Sequence, residues 1–143
     1  MRAEILSIGT EIMFGEITDT NAAYIAGALP EYGIDLLWVT QVGDNPARLK
    51  EAFARAWERS DYVFCTGGLG PTEDDITREC IAELLGRPLE FREDLYNSVL
   101  ERFKHVRTKI TENNKKQATL PQGAIAIENP HGDRKSTRLN SSH

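Results

Sequence analysis

Histidine and cysteine, which carry much of the metal and nucleophile chemistry of proteins, are scarce in this sequence: 143 residues hold three of the first and two of the second. His105 and His131 stand too far from other ligand types to suggest a zinc site. Cys65 and Cys80 lack CxxC spacing and read as buried thiols, one in an apolar strand and the other on an apolar helix face. No Ser-His-Asp or Cys-His arrangement is legible. No apolar run approaches the ~18 residues that suggest a membrane span. The opening "MRAEILSIGTE" places charge where a signal peptide would be apolar, so a cytoplasmic protein without a membrane partner is expected. Basic excess is missing too. A net charge of −5 with no basic stripe argues against nucleic acid, and Lys115-Lys116 is too short to make one.

What is present is a regular alternation. A chain of this length suits one domain, burying roughly 68–70% of its unfolded surface without disulfide or metal. "AEILSIG" (Ala3–Gly9), "IDLLWVTQVG" (Ile34–Gly43) and "DYVFCTGG" (Asp61–Gly68) read as short apolar strands. Between them, Thr20–Gly33 reads as a helix with Thr20 as N-cap and an apolar side of Ala23, Ile25, Ala26 and Leu29. The next helix has Asn45 as cap, Pro46 in its first turn and an apolar face of Leu49, Ala52, Phe53, Ala56 and Trp57. Asp75–Gly86, capped by Asp75, and Arg92–Val106 read as further helices, and Ala124–Ile127 as a last strand. This order predicts an α/β fold: a mainly parallel sheet between two helical layers. Ligands of such sheets bind at the carboxyl ends of the strands. Those ends carry "GTEIMFGEITDTN", "VGDNP" and "TGGLGPTEDD", where the glycines and clustered acids of the chain concentrate.

Composition changes at Asp133. "DRKSTRLNSSH" is basic and polar, lacks periodicity and resembles the translation of a common sequencing-adapter oligonucleotide. The expectation is therefore one domain over residues 1–132, incomplete at its C-terminus, followed by a non-native tail, 133–143. Without that tail the body is more acidic still, and no function is assigned to its residues, His143 included.

The glycine loop raises a question of charge. Gly67, Gly68 and Gly70 suit a turn that approaches a phosphate, yet Glu73, Asp74 and Asp75 follow at once. A Walker A loop is excluded, because Gly70 is followed by Pro71 and Thr72 and no lysine follows until Lys104. The glycine spacing does not fit a dinucleotide fingerprint either. A divalent cation between the acids and the phosphate resolves the conflict, because Mg²⁺ is usually held by one or two carboxylates plus substrate phosphates. Asp75, Asp44, Glu11 and Asp74 are the candidate metal ligands. The blander reading makes the acids a helix first turn, Asp44 a turn residue and Glu11 a solvated loop acid. Asn21 either begins a helix or hydrogen-bonds a base or ribose.

"SIGTEIMFGEITDTN", "VGDN" and above all "TGGLGPTEDDIT" resemble the N-terminal domain of the competence/damage-inducible protein A (CinA) family, within the molybdopterin-binding superfamily of MoaB and Mog proteins. "NNKKQATLPQGAIAIENPHG" resembles its downstream segment, so the resemblance spans Met1–Gly132. It implies a three-layer α/β fold, homo-oligomers, and a GG-x-G-x4-D-x-T motif that puts Gly67, Gly68, Gly70, Asp75 and Thr77 at a nucleotide- or pterin-phosphate site. Asp44 matches an acid of relatives that transfer adenylate to molybdopterin. With Gly9, Thr10, Thr72 and Asn21 as further substrate contacts and Asp75 and Asp44 as the catalytic acids, the implied activity is metal-dependent hydrolysis of ADP-ribose to AMP and ribose 5-phosphate. The family also implies an amidase domain in longer members, acting in the same pyridine-nucleotide salvage. Two alternatives stay open: molybdopterin binding with adenylyl transfer, and a non-catalytic oligomerisation fragment.

Overall fold

The structure, a computed structural model, describes residues 1–70, 72–104, 112–127 and 138–140. The chain forms two compact units, Met1–Gly68 and Leu69–His143.

The first unit is built on a three-stranded parallel sheet of β1 (Arg2–Ile8), β2 (Asp35–Val42) and β3 (Tyr62–Thr66), in the order β2-β1-β3. β1 is buried along nearly its whole length, as the central strand of a sheet covered on both faces must be. Three helices accompany the sheet: α1 (Thr10–Met13), α2 (Thr20–Ala28) and α3 (Pro46–Arg59). With the right-handed crossovers that such units adopt, this order sends α2 and α3 to opposite faces. The switch point of the topology then falls at the carboxyl end of β1.

Local chemistry explains the helix boundaries. Asn45 caps α3 by accepting from the Arg48 amide at 3.0 Å, with Pro46 as its first residue, as the sequence predicts. Its Leu49, Phe53 and Ala56 are buried, while Ala52 and Trp57 are half-buried. At α2 the cap is Asp19 rather than Thr20: its carboxylate accepts from the Ala22 amide at 3.1 Å, one residue earlier than expected. The buried residue of that helix is Ala22, not Ala23, and a 3-10 turn, Leu29–Tyr32, ends it at Gly33 in the left-handed conformation.

A register shift between Ala3 and Glu4 sets Glu4 opposite Trp38. The Glu4 carboxylate is fully buried and grips Arg59 through two bonds of 2.9 and 2.7 Å. The Arg59 guanidinium in turn lies 3.9 Å from the centre of the Trp38 ring. Those bonds raise the Arg59 pKa above its ordinary value.

The second unit contains α4 (Thr77–Leu84), β4 (Leu89–Phe91), α5 (Glu93–Phe103), a 3-10 helix over Glu112–Ala118, β5 (Thr119–Pro121), β6 (Ile125–Ile127) and β7 (Arg138–Asn140). β4 pairs antiparallel with β5, and β6 with β7. β4, β5 and the 3-10 helix carry no periodicity long enough to announce them. β7 falls in the stretch expected to be irregular, and the rest of that stretch lies outside the described residues, as does the expected extension of α5 to Val106. α4 begins two residues later than predicted, at Thr77, with Ile76 before it and no side-chain cap. Asp75 is therefore not its cap. Cys80 is buried on α4 as expected, whereas Cys65 on β3 is only partly covered.

Candidate functional site

Each unit organises part of the predicted site. In the first, the carboxyl ends of the parallel strands bring together Gly9, Thr10, Asp44, Gly67 and Gly68. The Gly9 amide donates to the Val42 carbonyl at 2.8 Å, joining the exits of β1 and β2. From there Thr10 and Asp44 clasp each other. Oδ2 of Asp44 accepts from the Thr10 amide at 3.2 Å and from its hydroxyl at 3.0 Å, and the Asp44 amide donates back to Oγ1 of Thr10 at 3.2 Å. Among the described residues, the side-chain hydrogen bonds of Asp44 fall on one oxygen.

Gly67 is required by its surroundings. Its φ is +87°, and a Cβ there would stand 2.0 Å from the carbonyl oxygen of Ile8, a backbone atom that cannot turn aside. Gly68 follows at φ +64°. Glu11 is exposed on α1, its carboxylate folded against Gly9, and Asn21 is exposed in the first turn of α2.

In the second unit, the Asp75 carboxylate turns back onto the glycine loop. Oδ2 accepts from the Thr72 amide at 3.0 Å and the Thr72 hydroxyl at 2.6 Å, and Gly70 packs against the same carboxylate. Burial works against the charged form. The bonds from Thr72, the neighbouring Gly70 amide and the charge of Lys116 outweigh it, so the carboxyl sits below the usual carboxylate range. A Cβ on Gly70 would meet Oδ2 at 2.5 Å, so the carboxylate packs where only glycine leaves room. Glu73 and Asp74 are exposed, and Thr77 is buried at the start of α4.

Two residues of this arrangement are missing from the sequence reading. Arg78 is 1% exposed and donates to the carbonyls of Leu69, at 2.9 and 3.0 Å, and Gly70, at 3.1 Å. Lys116 donates to the carbonyls of Thr72, at 2.7 Å, and Asp75, and pairs with Glu79 at 3.5 Å. Arg78 directly follows the recognised motif. Lys116 lies in "NNKKQATLPQG", where only its lack of basic company was weighed. Neither has a periodicity that would reveal it; what gives them away is a cation placed against bare carbonyls.

Within each unit, among the described residues, no three His, Cys, Asp or Glu side chains gather as a ligand set. A closed protein cage of the structural-zinc kind does not fit these residues. An ion that takes most of its ligands from water and substrate phosphates does, because one or two carboxylates then suffice. No described helix is long and apolar enough to cross a membrane.

The sequence profile of the family described as "Probable molybdopterin binding domain" matches residues 4–131. A "Putative competence-damage inducible protein" of Halothermothrix orenii is 52% identical over 132 residues, which cover 92% of this chain and 32% of that protein. The chain thus spans about a third of the length of the curated relatives it matches. The crystal structure of CinA from Thermoplasma acidophilum superposes with a TM-score of 0.84 at 34% identity, covering 94% of this chain and 78% of that one. MoaB from Pyrococcus furiosus, titled a tungsten cofactor synthesizing protein, is similar in fold alone: TM-score 0.58, 22% identity, 90% of this chain and 74% of that chain. The expected αβα class, a parallel sheet with flanking helices, is the class these neighbours share. With a profile spanning most of its length and a CinA structure 34% identical and covered over 78% of its chain, this chain belongs to the CinA family, as a domain of the molybdopterin-binding type.

Proposed function

We propose that this domain binds the pyrophosphate of ADP-ribose or a related nucleotide and hydrolyses it with the help of a divalent metal ion. The observation that carries the reading is the donor set at the glycine turn: the amide and hydroxyl of Thr72 converge on a single anionic group, against which Gly70 packs without a side chain. Such a convergence is what a phosphate oxygen requires. Asp44 and Asp75 are the proposed metal-binding acids, with Glu11 and Asp74 as outer candidates. Thr10 holds Asp44 so that one carboxylate oxygen is fixed by hydrogen bonds, while the other accepts none among the described residues. Gly9, Gly67 and Gly68 keep the strand exits free of side-chain bulk, and Asn21 offers an amide for ribose or base.

When bound, the ion supplies charge neutralisation at the phosphates and acidifies the attacking water. Water oxygen bonds to one phosphorus, the bridging P–O bond breaks, and the products are AMP and ribose 5-phosphate. Asp75→Ala should keep the folded circular-dichroism spectrum at room temperature, with a melt lowered by the lost Thr72 bonds, and reduce Mg²⁺-dependent ADP-ribose cleavage by at least about a hundredfold. Turnover that survives the substitution in the full chain sinks the assignment. We also assign homo-oligomerisation, and an amidase domain in longer relatives, as parts of this proposal.

The family description favours a second reading, molybdopterin binding, to which we attach adenylyl transfer as the activity. Calorimetric titration with molybdopterin against ADP-ribose separates them: tight pterin binding without ADP-ribose binding reverses the order.

A further inference from the structure

Beside the Thr10–Asp44 clasp stands an exposed aromatic ring, Phe14, and we propose that it is the platform on which the base of the nucleotide stacks. This rests on the nucleotide reading above and adds what grips the end away from the phosphates.

The turn that carries the ring is locked through its backbone. α1 ends in a Schellman arrangement: the Glu16 amide donates to the Glu11 carbonyl at 3.0 Å and the Gly15 amide to the Ile12 carbonyl at 3.1 Å, with Gly15 left-handed at φ +69°. The Phe14 amide donates to the Thr10 carbonyl, also at 3.0 Å. Phe14 is the C-cap of this turn, so its backbone is fixed on both sides while its side chain stays 74% exposed.

Gly43 gives the direction. A Cβ there would lie 3.8 Å from both Cγ of Met13 and Oγ1 of Thr10, so the Thr10–Met13 side of the turn faces the exit of β2. Phe14 follows Thr10 by four residues, which puts it on that same side, one helical turn further on. Thr10 is the residue that holds Asp44, the proposed metal ligand. A nucleotide whose phosphates meet that ion therefore has the ring within reach of its base, one ribose away.

Charge selects the occupant. From Thr10 to Asp19 the chain carries Glu11, Glu16 and Asp19 and no lysine or arginine. Away from the ion, such a surface repels phosphate. It also repels the same loop of a second copy, since a two-fold contact would set acid against acid. A neutral purine brings a flat apolar face and no charge. Scattered exposed apolar side chains are ordinary on protein surfaces. An aromatic ring on a backbone already held still is what stacking uses, because less freedom is lost on binding. Stacking reads a π-face and not a base edge, so the platform favours purines over pyrimidines and separates adenine poorly from guanine.

The experiment compares wild type, Phe14→Ala, Phe14→Trp and Ile17→Ala in the full chain with Mg²⁺, by calorimetric titration with AMP and with ribose 5-phosphate. Ile17, 52% exposed in the same loop, controls for a general loss of apolar surface. Phe14→Ala should weaken AMP binding roughly fivefold to a hundredfold, the range of one base–aromatic stack, and leave ribose 5-phosphate unmoved. Phe14→Trp should bind AMP at least as tightly as wild type, and Ile17→Ala should match wild type. With ADP-ribose as substrate, Phe14→Ala should raise KM by the same factor at unchanged kcat, because the base is held equally in ground and transition states. Circular dichroism checks each variant. Phe14→Leu, apolar but without a π-face, takes the place of Phe14→Ala should that variant not fold. Unchanged AMP affinity in Phe14→Ala overturns the proposal, as does an equal loss for ribose 5-phosphate or a matching loss in Ile17→Ala. A changed mass of Phe14→Ala in light scattering, with AMP affinity intact, also overturns it and assigns the ring to a subunit contact. The two readings fail separately: wild type that cleaves ADP-ribose, with KM unchanged in Phe14→Ala, refutes the platform only. AMP binding that depends on Phe14 in a chain that cleaves nothing refutes the hydrolase only.

Discussion

Asp44 in the first unit and Asp75 in the second are held the same way, yet by opposite means. In each case Oδ2 takes one bond from a threonine amide and one from that threonine's hydroxyl. The partner of Asp44 is Thr10, 34 residues away, and the two meet only because β1 and β2 lie side by side in register. The partner of Asp75 is Thr72, three residues away, and the clasp closes inside one turn. The first is a product of the sheet, the second of local sequence. The difference shows where each is vulnerable: the Asp44 clasp to anything that moves the strand exits, the Asp75 clasp to the turn alone.

The comparison breaks hardest at the glycines. Gly67→Ala combines a left-handed φ with a Cβ placed 2.0 Å from a backbone oxygen at the end of β1. The expected loss of stability is about 2–4 kcal/mol, from the backbone strain and the forced shift of Ile8 together. Gly70→Ala places its Cβ 2.5 Å from Oδ2 of Asp75, a side-chain atom that can rotate away. It should cost about 1–2 kcal/mol, the value of the two Thr72 hydrogen bonds given up. Urea midpoints of the two variants test this, and equal losses would mean that the Gly70 turn is as rigidly built as the strand exits.

A finer version exchanges the threonines. The Thr10 hydroxyl both donates to Oδ2 of Asp44 and accepts from its amide, so Thr10→Val removes two bonds and should cost about 1–2 kcal/mol. Thr72→Val removes one, for about 1 kcal/mol. Amide hydrogen exchange sharpens the contrast. The Asp44 amide loses its acceptor in Thr10→Val and should exchange faster, whereas the Asp75 amide, bonded to the Thr72 carbonyl at 3.2 Å, should keep its protection in Thr72→Val.

The same division explains what could be read from the sequence. The three parallel strands, the Asn45-Pro46 helix start and the gathering of Gly9, Thr10, Asp44 and Gly67 at the strand exits follow from apolar runs, capping residues and the rules of parallel sheets. Those signals are local, or topological at low resolution. The Asp19 cap was missed because a threonine beside an aspartate offers two caps one residue apart, and only the backbone angles choose. Asp75 was misplaced because an acid before a helix is usually its cap, while here the glycine turn offers better donors. Arg78 and Lys116 act on carbonyls, which every residue has and no sequence pattern marks. β4 and β5 are three residues each, too short for alternation to show.

The smallest effect concerns protons, and it separates the Asp75 clasp from a neutral hydrogen bond. Folding lowers the Asp75 carboxyl below its unfolded value: burial opposes the charged form, but the bonds from Thr72, the neighbouring Gly70 amide and the Lys116 charge outweigh it. The stability linked to that shift is present in full above the unfolded pKa of about 3.9 and fades as pH falls through the lower folded value. Asp75→Asn keeps an acceptor and has no such titration. The stability gap between wild type and Asp75→Asn should therefore be constant through neutral pH and shrink below about pH 4. Denaturation midpoints across that range give the answer. A gap that stays level into acid would show the carboxylate held no better than an amide.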